Sequence, residues 1–175
     1  KLINASAAFT DTLIRRGIYP ELMFQKPPVT PGYDLIGVVD KLGSDVKGWA
    51  VGQKVAALTV SGAYAEYLCI PADKAIQVPD KLDDDEALAM ILTYITAYQM
   101  LVRSAKVKKG DTILVHGAGG AVGTALLQLA QHMSLKAYGT ASKGKHTLIG
   151  ELGGIPIDYK TEDFEAFVKQ REPTG

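Results

Sequence analysis

The sequence predicts an α/β fold in which a β-rich N-terminal domain precedes the first half of a doubly wound parallel sheet. Three observations predict it. Residues 1–82 hold short β-like runs between turn residues, residues 83–175 alternate helix and strand, and residues 110–128 read GDTILVHGAGGAVGTALLQ. Strand runs punctuated by Gly and Pro mark antiparallel β structure, whereas strand–helix alternation marks a parallel sheet. The 110–128 stretch orders an apolar run, a glycine-rich turn and an amphipathic helix as a βαβ unit does.

The elements follow in chain order. One helical turn is predicted near Thr10–Arg16. Strands are expected at Leu35–Leu42, Lys54–Val60, Tyr64–Ile70 and Ala75–Val78, separated by Pro27-Pro28, Pro31-Gly32, Gly43-Ser44, Gly48 and Ser61-Gly62. The single cysteine, Cys69, lies in the apolar run Tyr67–Ile70 and is expected to be buried rather than reactive. The acids Asp83 to Glu86 suit the positive end of a helix dipole. A metal loop is the sharper alternative there, but oxygen-ligand loops need spaced ligands and a turn glycine. A long helix is expected over Ile91–Ala105, then an apolar strand at Thr112–Val115 that reads as covered on both faces. Val122, Ala125, Leu126, Leu129, Ala130 and Met133 form one apolar helical stripe, and a second strand follows at Ala137–Thr140. The end, Arg171 to Gly175, reads as a turn leading into a further strand.

Composition excludes several classes. Lys plus Arg and Asp plus Glu balance at 19 each, which gives no electrostatic footprint for nucleic acid or a membrane surface. One cysteine rules out an internal disulfide framework and fits a reducing, cytoplasmic setting. No apolar run is long enough for a membrane span, and the N-terminal residues make a poor signal peptide. Hydrophobic residues, 47% of the chain, suffice for a core.

The glycines Gly117, Gly119, Gly120 and Gly123 carry the chemistry. Glycine lets a backbone turn tightly and approach a pyrophosphate, and the helix that follows offers unpaired N–H groups to it. The aligned hexad, Ala118 to Gly123, has alanine where G-x-G-x-x-G has its first glycine. Folds that prefer NAD place an acid about 20 residues beyond the loop, on the ribose 2′-hydroxyl. No Asp or Glu occurs from Gly117 to Gly150; instead Ser142, Lys143 and Lys145 follow the second strand. A 2′-phosphate would be attracted there, so NADPH is expected rather than NADH; the alternative is a solvated, lysine-rich helix start.

Several motifs extend over nearly the whole chain: Phe9-Thr10-Asp11, Arg15-Arg16-Gly17-Ile18-Tyr19-Pro20, Pro31-Gly32-Tyr33-Asp34-Leu35-Ile36-Gly37, Val51-Gly52-Gln53-Lys54-Val55, Gly62-Ala63-Tyr64-Ala65-Glu66-Tyr67, Thr96-Ala97-Tyr98 and the 110–128 stretch. On these the chain resembles the zinc-independent quinone oxidoreductase (zeta-crystallin-like) branch of the medium-chain dehydrogenase/reductase superfamily. It departs from that branch at Ala121 and Gln131. The resemblance implies a GroES-like domain over residues 1–90, lacking its first strands, and a Rossmann NADP-binding domain over 91–175, lacking its second half. Members of the branch are longer chains, so this one is expected to be a fragment or a natural truncation.

The resemblance also implies roles. Hydride would pass from NADPH to a quinone or an α,β-unsaturated carbonyl without zinc. Tyr33 stands where zinc-dependent relatives carry a ligand histidine, and the first half of the chain has no histidine. Tyr19 and Thr96 are the implied catalytic residues, Thr96 also lying near the nicotinamide. Ala118, Gly119, Gly120, Ala121, Val122, Gly123, Ser142, Lys143, Lys145 and Tyr159 are the implied cofactor-binding set. Tyr19, Tyr33 and Tyr64 are candidates by residue type for the proton donor. Ala8 replaces a usual Asn that helps hold nicotinamide or substrate. The expected partners are a small quinone or enone and, in the full-length form, a second copy. The alternatives are a nucleotide-binding protein with little catalysis, or an enoyl reductase domain of a larger synthase.

Overall fold

The computed structural model describes residues 1–20 and 26–173. The chain divides into two compact units, Lys1–Leu92 and Thr93–Gly175. The first holds a four-stranded antiparallel sheet in the order β1-β2-β3-β4, built from β1 (Leu2–Ala5), β2 (Asp34–Val38), β3 (Lys54–Leu58) and β4 (Ile76–Gln77). A short helix, α1 (Phe9–Arg15), follows β1. The second holds a parallel sheet in the order β5-β6-β7, from β5 (Thr112–His116), β6 (Lys136–Ala141) and β7 (Ile155–Asp158). Helices α3 (Ala121–His132), α4 (His146–Glu151) and α5 (Phe164–Arg171) follow these strands in turn. A GroES-like β domain and the start of a Rossmann fold are thus both present.

Local chemistry sets the element ends. The Asp83 carboxylate accepts from the N–H groups of Asp85 (3.0 Å) and Glu86 (3.2 Å), so the acid run caps α2 (Asp84–Tyr98). The helix therefore starts seven residues before the expected Ile91, and its continuation, Gln99–Ala105, is wound as a π-helix. Asp163 caps α5 in the same way, accepting from Glu165 and Ala166. In α3 the apolar stripe buries Ala125, Leu126 and Ala130, while Val122, Leu129 and Met133 pack at its edge; Leu127 is buried too, against the neighbouring face.

Four expectations are corrected. No strand forms over Tyr64–Ile70: Gly62, at φ +98°, turns the chain, and the segment meets β1 through a single bond from Leu2 N–H to the Glu66 carbonyl (2.9 Å). Within that segment Leu68 and Ile70 pack inward, so Cys69 points outward and is exposed. The strands at Leu35–Leu42 and Lys54–Val60 are shorter, β3 ending where Val60 adopts φ +67°. Finally, β5 is covered on one side only. Val115 is 4% exposed but Leu114, pointing to the opposite face, is 36% exposed. The expected terminal turn at 171–175 lies partly outside the described residues.

A polar cluster fastens α5 to the second sheet. The fully buried Tyr138 donates to Glu172 (2.6 Å), Lys136 pairs with the same carboxylate, and the Phe167 ring meets Tyr138 edge-on. Lys136, and then Tyr138, hold the Glu172 carboxyl below its ordinary value of 4.5. Burial, and then Glu172, hold the Tyr138 hydroxyl above the phenol range. A carboxylate with a depressed folded pKa stabilises the fold above its unfolded value, and that contribution is lost as pH falls through the folded one. Acidification below pH 4.5 is therefore expected to release α5 before the rest of the unit, read as loss of amide protection confined to residues 164–172. In Glu172→Gln the same loss is expected already at neutral pH.

Candidate functional site

The loop between β5 and α3 is held by close packing. Gly117 turns at φ +67°. A Cβ on Gly123 would lie 2.4 Å from the Gly117 carbonyl oxygen, and one on Gly139 would lie 2.6 Å from the Ala118 methyl. Real Cβ atoms do not approach so closely, so helix α3 reaches strands β5 and β6 only because these positions are glycine. Ala118 is fully buried, and its N–H donates to the Thr140 carbonyl (3.0 Å). Its role in the loop is therefore packing, with its methyl in the core of the second unit.

Thr140 is the residue that sequence reasoning missed. It is 3% exposed, and its hydroxyl accepts from Gly117 N–H (3.3 Å) and meets His116 Nδ1 (3.2 Å). With its carbonyl on Ala118, Thr140 clasps both ends of the turn's first half. His116 also stacks edge-on against Phe164 at 4.9 Å, a packing role. The only available signal was the threonine's place at the end of the second strand.

Helix α3 then opens at Gly120, which supplies no side-chain cap. The first N–H groups of a helix have no intrahelical acceptor, and here Ala121, Val122 and Gly123 occupy those positions. Gly120 N–H is turned back to Gly117 (2.9 Å). Beside them the turn after β6 runs Ser142, Lys143, Gly144, Lys145. A Cβ on Gly119 would lie 2.9 Å from both Cβ and Cγ of Lys145, so the lysine stem rests directly on the glycine loop. Lys145 thus lies on Gly119, in the loop that leads into Ala121, Val122 and Gly123, while Ser142 and the exposed Lys143 precede it in the same turn. Tyr159, 55% exposed, follows β7.

This cradle fits a dinucleotide phosphate: glycines that allow close approach of the backbone, helix-start donors, and lysines with no carboxylate in the Ser142–Lys145 turn. Thr96 lies half-buried on α2 and is already engaged in an interaction of its own.

The first unit gathers a separate polar group. Asp11, 6% exposed, accepts from Ala8 N–H (2.8 Å), Gly32 N–H (3.0 Å) and Tyr64 hydroxyl (3.1 Å). Asp34, 1% exposed, accepts from Ser6 and from Leu92 N–H (3.2 Å). Burial, and then the Asp11 carboxylate, hold the Tyr64 hydroxyl above the phenol range. Its proton is committed to Asp11 and the Ser6 carbonyl, which removes Tyr64 as a ready acid. Tyr19 and Tyr33 instead meet hydroxyl to hydroxyl at 2.7 Å. Elsewhere in this unit, an apolar hollow of about 370 Å³ is walled by Leu35, Val38, Val46, Trp49, Leu68 and Ile70. Lys1, Asp40 and Lys41 also line it.

With the geometry in place, comparison with known proteins is direct. Residues 1–80 match the alcohol dehydrogenase GroES-like domain family. The synaptic vesicle membrane protein VAT-1 homolog of Danio rerio is 37% identical over 170 residues, 95% of this chain and 34% of that protein. Human quinone oxidoreductase is 41% identical over 134 residues, 75% of this chain and 40% of that protein. The crystal structure of Escherichia coli quinone oxidoreductase complexed with NADPH superimposes with a TM-score of 0.87 at 31% identity, covering 97% of this chain and 52% of that one. The chain therefore spans between about a third and about half the length of these relatives. Fold and loop define a GroES-like domain joined to the first part of a Rossmann dinucleotide-binding domain. Residues 1–80 thus carry the alcohol dehydrogenase GroES-like domain, and the chain is similar along most of its length to VAT-1 homologs and zeta-crystallin-like quinone oxidoreductases of the medium-chain dehydrogenase/reductase superfamily. No helix among the described residues is long and apolar enough to cross a membrane.

Two substitutions, with Gly144→Ala as a control, test the loop. Gly123→Ala is expected to destabilise the chain by about 1–3 kcal/mol through overpacking, whereas Gly144→Ala, in open space, stays within about 0.5 kcal/mol. Thr140→Val strands the Gly117 N–H and is expected to cost about 1–3 kcal/mol. Denaturant titration reads both.

Proposed function

We propose that the chain carries the NADPH-binding machinery, and part of the substrate-binding machinery, of a zinc-independent reductase of quinones or α,β-unsaturated carbonyls. One observation carries the cofactor: the acid-free turn Ser142–Lys145 lies against the glycine loop, with the Lys145 stem on Gly119. The NADPH complex of the Escherichia coli relative supports the same reading. The N–H groups of Gly119, Ala121, Val122 and Gly123 would bind the pyrophosphate. Ser142, Lys143 and Lys145 would bind the 2′-phosphate, with Tyr159 beside the adenosine and Thr96 near the nicotinamide.

NADPH, when bound, supplies the hydride. The protein's part is to orient the acceptor and stabilise charge on its oxygen. Tyr19 is the donor proposed for that oxygen, since Tyr64 is committed elsewhere. Zinc does not suit the position of Tyr33, whose hydroxyl is held by Tyr19. Among the described residues no group of three His, Cys, Asp or Glu side chains could hold a metal. Quinones and enones spread the developing negative charge by conjugation, so a Lewis acid is less necessary. A cytoplasmic setting and a homodimeric full-length form belong to the same proposal.

A second reading, nucleotide binding with weak catalysis, is favoured by Ala8. It presents only a methyl where the branch usually has an amide, and its N–H is spent on Asp11. Ala8→Asn is expected to raise turnover if the first reading holds.

Fluorescence titration tests the cofactor assignment. NADPH is expected to bind more tightly than NADH. Lys145→Ala is expected to weaken NADPH by about tenfold or more, the value of a charge-assisted hydrogen bond, and to leave NADH unchanged. Equal affinity for the two nucleotides contradicts the assignment. NADPH binding without oxidation by any quinone or enone contradicts the reductase.

A further inference from the structure

Tyr33 is a large aromatic residue at the position that carries a ligand histidine in zinc-dependent relatives, and its hydroxyl is not idle. The residue is 8% exposed. Its backbone is fixed on both sides. Gly32, at φ +103°, donates its N–H to the buried Asp11, and a Cβ there would lie 2.5 Å from Tyr64 nitrogen. The Tyr33 carbonyl accepts from Thr59 N–H (2.8 Å) and Val60 N–H (3.1 Å), and Asp34 follows it into β2. Tyr33 thus has little freedom to move.

Tyr19 is the opposite case. It lies in irregular chain beyond α1, two residues after Gly17 at φ +67°, and is only half-buried. The two rings meet edge-on at 88°, with centroids 5.9 Å apart, and the two hydroxyl oxygens lie 2.7 Å apart. That is the ordinary length of an O–H···O hydrogen bond, and it fixes the direction in which the Tyr19 oxygen points.

We infer that Tyr33 is a positioning residue: its hydroxyl donates to Tyr19, so that the Tyr19 proton is presented to a carbonyl oxygen of the substrate. This rests on the reductase reading above and names how its donor is oriented. Either hydroxyl could donate across 2.7 Å, and the function proposed for Tyr19 selects Tyr33 as donor. A hydroxyl has one proton, so if Tyr19 gave its proton to Tyr33 none would remain for substrate. With Tyr33 donating, each hydroxyl proton has a use. The bond also stabilises negative charge on the Tyr19 oxygen as its proton leaves. In the balanced step, hydride forms a C–H bond on the quinone or enone. The Tyr19 O–H proton passes to the carbonyl oxygen, and the tyrosinate regains a proton from water. The products are oxidised nicotinamide, whose C–H bond supplied the hydride, and an enol. From a quinone, that enol becomes the hydroquinone when the reduced carbon loses a proton to water and the second carbonyl oxygen gains one.

Two readouts on the full chain test this, using Tyr33→Phe, Tyr19→Phe and the double variant. The first needs no turnover. The infrared carbonyl band of bound cyclohex-2-enone is expected at lower frequency than in free solution. That shift should be lost in Tyr19→Phe and reduced in Tyr33→Phe, with unchanged circular dichroism. The second is NADPH oxidation by 1,4-benzoquinone. Here Tyr33→Phe is expected to lower kcat about tenfold, the effect of one lost hydrogen bond, with NADPH affinity unchanged. The double variant should be no worse than Tyr19→Phe alone, since Tyr33 acts only through Tyr19. An unaltered band in Tyr33→Phe, or losses that multiply in the double variant, overturns the inference. A carbonyl shift that depends on Tyr33, in a chain that never oxidises NADPH, leaves the inference standing and removes the reductase.

Discussion

Between Gly117 and Gly123 the chain passes so near itself that side chains have no room. The Gly117 carbonyl lies where a Cβ of Gly123 would stand, and the Ala118 methyl lies against Gly139. This contact brings helix α3 down onto β5 and β6 and sets the turn between them. It also sets the first N–H groups of α3 beside the glycine loop. Thr140 then holds the turn from below with both its carbonyl and its hydroxyl. The proposed phosphate site follows from packing: the glycines are required by the core first, and their backbone is what a ligand would meet.

Lys145 shows the same coupling on the other side of the loop. Its methylenes cover Gly119 while its ammonium group stays in water. A larger residue at 119 would displace the lysine, so the glycine pattern and the basic turn form one structural unit. In the first unit two buried carboxylates do comparable work with neutral donors. Asp11 gathers Ala8, Gly32 and Tyr64, and Asp34 gathers Ser6 and Leu92. Buried charges of this kind are tolerated only when their oxygens are well supplied with donors. They fix the backbone around Tyr33, and through it the Tyr19 hydroxyl.

Much of this was legible in the sequence. The β5–loop–α3–β6 unit was, because a 3.6-residue apolar period, a glycine cluster and two short apolar runs are local signals. The acid run at Asp83 was legible as a helix start for the same reason. What depends on neighbours was not. Tyr64–Ile70 looks like a strand by composition, but Gly62 turns the backbone and the segment meets β1 only where Leu2 N–H donates to the Glu66 carbonyl. Cys69 looks buried in an apolar run, but alternation sends it outward between Leu68 and Ile70. Leu114 looks like the centre of a covered strand, but alternation sends it to the face opposite the buried Val115, where it is exposed. The carboxylate networks, the Thr140 clasp and the meeting of Tyr19 with Tyr33 all join residues distant in sequence, and no spacing rule announces them.

The central claim is that the packed glycine loop and the Ser142–Lys145 turn together receive one dinucleotide. Titrating the uniformly ¹⁵N-labelled chain with NADPH, followed by amide resonances, tests it most directly. The account predicts that the amides of Gly119, Ala121, Val122 and Gly123 shift together with those of Ser142, Lys143 and Lys145, along a single binding curve. Shifts that leave both segments untouched, or that move only one of them, would contradict it.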